Sequence, residues 1–258
     1  MYLNSCLLNY YKMYLPTTSC GEVGLILHQI LHKILGYKTD GTFVEVGAND
    51  GKTGSFTFNL GKIGWQGLNC EPIPRLFELC KKNHQEHVNV TTIQIAAGEK
   101  KDILEIVDAD TLSTMDGDTL QLYLNTNWAK NNFKNATRCK VSVEPLDTIL
   151  PINNINKNFD LFVLDVEGFE ENVLKGFSVE MYKPKIIVIE IADQHESFIH
   201  NSDLMQKFKR LRDYFKLHGY SLLLNDIVDN VYIRNDLYKP SDRTYFSQFI
   251  KFSQFNVL

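Results

Sequence analysis

Several signatures that would settle the class of this chain at once are missing. Its five cysteines, Cys6, Cys20, Cys70, Cys80 and Cys139, are odd in number and form no CxxC pair. That argues against a zinc site and against a disulfide framework, and it fits a reducing, cytoplasmic location. Positive charge is not in excess: 27 Lys+Arg stand against 31 Asp+Glu, a net charge of −4. Nucleic acid and anionic membranes are therefore not the expected partners. No apolar run reaches the length of a bilayer, since Val23 to Leu35 is interrupted by His28, Gln29, His32 and Lys33. The start, MYLNSCLLNYYKMYL, has neither the basic end nor the small-residue cleavage site of a signal peptide. No internal repeat or low-complexity linker divides the chain. Two phosphate-binding motifs are also absent. Asn49 stands where the dinucleotide fingerprint GxGxxG has its second glycine, and Gly47 lies too close to Gly51-Lys52-Thr53 for a P-loop.

What is present is concentrated at the ends of short apolar runs. In TFVEVGANDG, residues 42–51, Phe43, Val44 and Val46 suit a buried strand that breaks into a glycine-bearing turn. Such a turn at the carboxyl edge of an open α/β sheet is where ligands bind. Glu71 closes a second strand, GLNCE, about 20 residues after Gly51, the distance at which an acid accepts hydrogen bonds from ribose hydroxyls. Glu45 and Asp50 flank the turn and disfavour a phosphate; they favour a cationic ligand, an amine or a sulfonium. S-adenosylmethionine carries both, with a ribose.

Strand and helix patterns alternate from Thr42 onward. Pro74 opens a helix over RLFELCKKN, Val90 to Ala97 reads as a third strand, and Ile103 to Val107 as an additional one. FDLFVLDV (159–166) and KIIVIEI (185–191) are strongly apolar strands. Ser202 to His218 is a helix with Leu204, Phe208, Leu211 and Phe215 on one face, and Tyr220 to Leu224 and Val231 to Ile233 are closing strands. Residues 108 to 140 show no regular period. The pattern predicts an α/β, Rossmann-like fold: a seven-stranded, mostly parallel sheet with one antiparallel edge strand and helices on both faces. The expected organisation is an N-terminal helical extension over residues 1–40, the Rossmann-like domain over 41–240 and an aromatic-rich tail over 241–258. Within the extension, Leu27, Ile30, Leu31, Ile34 and Leu35 fall at helical spacing and are expected to pack on the core.

The stretches FVEVGANDGKTGSFTFNL, GLNCEPIPRLFELCKKN, IQIAAGE and FDLFVLDVEGFEENVLKGF followed by KPKIIVIEI resemble, in that order, the FkbM family of S-adenosylmethionine-dependent methyltransferases. The resemblance runs from about Thr42 to about Asp226. It implies S-adenosyl-L-methionine as cofactor and O-methylation of a hydroxyl on a sugar, glycan, glycolipid or related natural product. Glu45, Gly47, Asn49 and Gly51, with Asp50 between them, match the family's first cofactor motif. Glu71 matches the ribose acid, and Ala96 and Ala97 the stretch near the adenine. Asp165 and Glu167 match the DxEG motif beside the site of methyl transfer. Leu164 stands where many members have Lys, which removes any lysine role at that position.

A sugar hydroxyl is a weak nucleophile at neutral pH, and a nearby base accelerates transfer about 10²–10⁴-fold. Asp165, at the end of an apolar strand, is the expected base or acceptor-positioning group, with Glu167 orienting the acceptor. Ser113, Glu190 and His195 are candidates on the substrate side. Asp165 and Glu190 have the right chemistry to share magnesium or manganese, but nothing in the sequence fixes a third ligand, so no metal is assigned. Lys130, Lys134, Arg138 and Lys140, interleaved with Trp128 and Phe133, form a basic run that suits a sugar ring by stacking, a phosphate or nucleic-acid strand by charge, or a solvated lid or loop. Two other functions compete: a non-catalytic module that keeps the fold for binding, and a methyltransferase acting on RNA or protein.

Overall fold

The computed structural model describes residues 21–249. The first element, α1 (Gly21–Leu35), buries Val23, Ile26, Leu27, Ile30 and Leu31. Those positions repeat at the helical period and form one stripe. Gly36 ends the helix at φ +76°, with its N–H donating to the His32 carbonyl at 2.9 Å. The central elements follow as β1 (Thr42–Val46), α2 (Phe58–Lys62), β2 (Gln66–Cys70), α3 (Pro74–Asn83), β3 (Val90–Ile93), β4 (Ala96–Ala97) and β5 (Asp102–Asp108). Next come α4 (Gly117–Asn125), β6 (Thr137–Glu144), α5 (Leu146–Ile152), β7 (Leu161–Leu164), α6 (Glu170–Lys175), α7 (Val179–Tyr182) and β8 (Ile186–Glu190). The described residues close with α8 (Ser202–Leu217), β9 (Tyr220–Asn225), β10 (Asp229–Arg234) and α9 (Pro240–Ser247).

Seven strands form one sheet in the order β3-β2-β1-β7-β8-β10-β9. Every pairing is parallel except those made by β10, which runs antiparallel to both β8 and β9. The antiparallel strand expected at the edge thus lies one place inside it. The short turn after β9 sends β10 back into the gap beside β8, and β9 takes the edge.

Period-2 alternation sends each strand's side chains to two faces. On one face Phe43, Leu161, Val163, Ile186, Val188, Val231 and Ile233 pack against α1, Leu60 of α2 and Phe246 of α9. On the other, Val44, Val46, Leu68, Phe162, Leu164, Ile187 and Ile189 pack against Leu146 and Ile149 of α5, Val173 and Leu174 of α6, and Phe208, Leu211 and Phe215 of α8. Both faces are covered, as parallel sheets require.

A second sheet, β4-β6-β5, stands beside the first. It corrects two expectations. The run from Val90 to Ala97 is two strands in different sheets, and the stretch read as aperiodic contains α4 and the start of β6. Within β6, Cys139, Val141 and Val143 turn to a small apolar cluster, so Arg138 and Lys140 are its outward face. Arg138 pairs with Glu105 at 2.5 Å, and Lys130 donates to Asn127 at 2.8 Å. The basic run is therefore split between a strand face and a turn. No helix among the described residues is long and apolar enough to cross a membrane.

Candidate active site

The turn after β1 is built on positive φ angles: Gly47 at +86°, Asn49 at +52° and Gly51 at +70°. A Cβ on Gly47 would overlap the backbone carbonyl of Asp165, so only glycine lets the turn pass against the end of β7. The N–H groups of Gly47 and Ala48 donate to the Cys70 carbonyl at 3.0 and 3.1 Å. The Asn49 N–H donates to Glu71 Oε2 at 2.9 Å, and the Ile73 N–H to Glu71 Oε1 at 2.8 Å. Burial pushes Glu71 up to about 7, against the pull of those two amides. Asp50 turns inward on its own loop, where Oδ1 accepts from the N–H of Lys52 and Thr53 at 2.8 and 2.7 Å. The Gly51 carbonyl accepts from His84 Nε2 at 2.8 Å. Burial lowers His84 to about 4, so the ring is neutral, with its proton on Nε2.

Glu45, 4 % exposed, accepts from Thr57 Oγ1 at 2.5 Å and from Ser55 Oγ at 3.1 Å. Burial pushes it up to about 7 against those hydroxyls.

The strongest concentration of charge lies further along the same edge. Asp165 extends β7 by one residue, its N–H donating to the Val46 carbonyl at 3.1 Å. Val163 pairs with Val188, and Glu190 pairs directly with Asp229. Counting by twos, Asp165, Glu190 and Asp229 project to the same face of three neighbouring strands. Glu167 joins them from the loop. Its backbone is left-handed, φ +50°, a conformation that costs of order 1–3 kcal/mol in a non-glycine residue. Two contacts impose it: Thr114 Oγ1 donates to its carbonyl at 2.7 Å, and the Tyr123 hydroxyl donates to its carboxylate.

Carboxylate oxygens of Asp165, Glu167 and Glu190 lie within 4.8 Å of one another. Two full charges at that separation repel by roughly 3–4 kcal/mol at an effective dielectric near 20. Burial raises all three, and their mutual charge raises Glu167 and Glu190 further. Glu170, pushed up to about 7 by burial, accepts from the Gly168 N–H at 3.1 Å. Lys207 crosses from α8 to Asp116 at 3.3 Å and to the Gly168 carbonyl, and so ties the loop to α4.

One cavity of about 310 Å³, within the range of small-molecule sites, joins these features. Its lining brings together Glu45, Gly47, Asn49, Glu71, Ala96, Ala97, Ser113, Asp165, Glu167 and Glu190 of the residues singled out in the sequence. Asp50 and Gly51 shape the turn from outside. His195 lies beyond the lining, stacked on Phe198 at 4.6 Å between centroids and 5.6 Å from the Trp128 ring. Sequence reasoning missed Asp229, Ser55, Thr57 and Tyr123. Asp229 had a signal, an acid opening an apolar strand, but its register opposite Glu190 could not be read from the sequence.

A mostly parallel sheet with a glycine turn after its first strand, an acid after its second and acids ending its central strands defines a Rossmann-like methyltransferase. The Methyltransferase FkbM domain matches residues 45–222, and the chain belongs to that family. Its cofactor is S-adenosyl-L-methionine. No curated protein matches the chain in sequence. Among solved structures, a methyltransferase FkbM from Methylobacillus flagellatus KT is 15 % identical with a TM-score of 0.47. That alignment covers 88 % of this chain and 58 % of the other, so this chain spans less than two thirds of that protein's length. An O-methyltransferase from Bacillus cereus in complex with SAH is 13 % identical over 90 % of this chain and 91 % of that one, with a TM-score of 0.44. Cofactor-bound Rv0187 from MTB is 12 % identical over 90 % and 88 %, with a TM-score of 0.49.

Proposed function

We propose that the protein O-methylates a hydroxyl of a sugar, glycan, glycolipid or related natural product. The observation that carries this reading is the meeting of Asp165 and Glu167 with the glycine turn and Glu71 around one cavity. The donor set fits the cofactor. Glu71 keeps acceptor capacity beyond its two backbone bonds, suited to ribose hydroxyls. The small side chains of Ala96 and Ala97, beside Ile73, Ile95 and Met115, leave an apolar slot for a flat base. Glu45 and Asp165 supply negative charge for an amine and a sulfonium.

When bound, S-adenosylmethionine supplies the methyl group and leaves as a neutral thioether. Asp165 accepts the acceptor hydroxyl's proton as the oxygen attacks; its burial raises its basicity toward that task. Glu167, clamped by Tyr123, orients the hydroxyl. Holding the two reactants in attack geometry supplies several kcal/mol of the acceleration. A carbohydrate acceptor is supported by the aromatic wall outside the acids. Trp128 is 48 % exposed, its Nε1 donates to Ser197 Oγ at 3.2 Å, and its ring lies 6.0 Å from that of Tyr123.

The test is incubation of the purified chain with methyl-labelled S-adenosylmethionine and a panel of glycans and glycolipids. Base-stable label on a carbohydrate product is expected. Label confined to RNA or protein, or no turnover in a chain that binds the cofactor, would refute the reading.

A further inference from the structure

We propose that Asp165, Glu167 and Glu190 hold a divalent metal ion on the acceptor side of the cavity. The proposal rests on the reading of this cavity as the site of methyl transfer, and it adds a ligand that the sequence left unassigned for want of a third donor. The structure supplies that donor as Glu167.

Geometry comes first. Opposite oxygens around octahedral magnesium are about 4.2 Å apart and those around calcium about 4.8 Å, twice the metal–oxygen distance. The three carboxylate oxygens lie within 4.8 Å of one another, so small side-chain movements close them on one ion. All-oxygen ligation selects magnesium, manganese or calcium over softer metals. Three protein oxygens leave about three positions of an octahedron for water or for oxygens of the acceptor.

A fourth residue points independently to a cation. Asp229 is 8 % exposed and lines the same cavity. It stands opposite Glu190 across the β8–β10 ladder. Among the described residues no amide, hydroxyl, lysine or arginine donates to its carboxylate, and Asp165 and Glu190 are hydrogen-bonded only to each other. Buried carboxylates are ordinarily hydrogen-bonded or paired. Lys207, the cation nearest the loop, is engaged by Asp116 and Gly168 instead. The asymmetry within the molecule is informative. The similarly buried Asp160, on the opposite edge of the sheet, is satisfied by Lys38 at 2.7 Å and Lys185 at 2.6 Å. The fold neutralises one buried acid with two lysines and leaves the acids of the cavity without any.

An ion there adds a specific capability. As a Lewis acid it lowers the pKa of a bound hydroxyl and fixes its position. Its open coordination positions favour an acceptor with two adjacent oxygens, as in a vicinal diol.

The experiment titrates MnCl2 into the full chain with S-adenosylhomocysteine present and follows free manganese by electron paramagnetic resonance. MgCl2 and CaCl2 serve as competitors. One manganese per chain is expected, displaced by at least one of the competitors. Asp165→Asn and Glu190→Gln should each weaken binding at least tenfold. Affinity for S-adenosylhomocysteine in EDTA, measured by calorimetry on the Glu190→Gln protein, should change less than threefold. Both substitutions remove repulsion, so the folded proteins should melt at or above the wild-type temperature in EDTA. Manganese left free at millimolar concentration by a chain that binds S-adenosylhomocysteine would overturn the metal site and leave the methyltransferase reading standing. Undiminished manganese binding in both variants would overturn it as well, by placing the ion elsewhere.

Discussion

Glu71 and Asn49, 22 positions apart in sequence, are joined by the bond from the Asn49 amide to Glu71 Oε2. The acid that ends β2 is therefore a strut beneath the turn that ends β1. A carboxylate offers about four acceptor positions. Two serve Asn49 and Ile73, which leaves the others for a ligand. The same side chain shapes the turn and lines the cavity beside it.

Glu71→Ala should accordingly fail in two ways. Each amide left without a partner costs about 1–3 kcal/mol, so the thermal midpoint falls. The dissociation constant for S-adenosylmethionine rises at least about tenfold, the effect of losing about 1.4 kcal/mol. Calorimetry and a thermal melt on the same preparation read both. Unchanged cofactor affinity would remove Glu71 from the ribose.

Gly47→Ala places a methyl group on the Asp165 carbonyl at a backbone angle that glycine tolerates best. The expected loss is about 3 kcal/mol or more of unfolding free energy, from left-handed strain and overlap together. Urea denaturation followed by circular dichroism measures it, and an unaltered midpoint would contradict the described turn.

Tyr123→Phe removes the hydroxyl that clamps Glu167. Hydrogen bonds to charged groups contribute about 1.5–3 kcal/mol, which corresponds to roughly a 10–100-fold fall in kcat. The dissociation constant for the cofactor should stay within about twofold, because the tyrosine does not line the cavity. A change confined to cofactor affinity would show that Glu167 serves the donor rather than the acceptor.

The pH dependence of stability follows from acids whose protons bind more tightly in the folded chain. Glu45, Glu71 and Glu170 are raised from 4.5 to about 7. Their contribution is complete below about 4.5 and lost as pH rises through about 7. His84 is lowered from 6.5 to about 4, so its opposing slope is finished by about 6.5. Cofactor-free protein should therefore lose thermal stability between about pH 6.5 and 8, and Glu45→Gln should flatten that slope. A midpoint that climbs over this interval would count against these burials.

Much of this site can be read from residues two apart. Asp165 follows Val163 and Glu190 follows Val188 along apolar strands, so period-2 counting places both acids on one face once the strands are neighbours. The glycine turn and Glu71 were legible for a similar reason, since turn chemistry is local. What escaped was set by register and by distant partners. Asp229 opposes Glu190 only because β10 inserts beside β8, and Tyr123 reaches Glu167 across 44 positions. β6 escaped because Arg138 and Lys140, read as part of a basic run, are alternate outward residues of a strand whose inward side is a small apolar cluster. Two residues, Gln94 and Ile95, suffice to carry the chain from the first sheet to the second, too short a break to register as a boundary.

The amides of Glu22 and Val23 at the start of α1 donate to Asp226 Oδ2 at 3.0 and 3.2 Å, across 204 and 203 positions. A helix near the amino end of the described chain is thus docked by a hairpin near its carboxyl end. During synthesis the greasy side of that helix must wait for the residues up to Asp226, 204 positions after Glu22, to emerge before its berth is complete. Contacts between such remote segments form late and slowly, and the exposed stripe is meanwhile an opening for self-association. Folding yield in this protein should therefore be governed by the closing of that β9–β10 hairpin, well before any ligand enters.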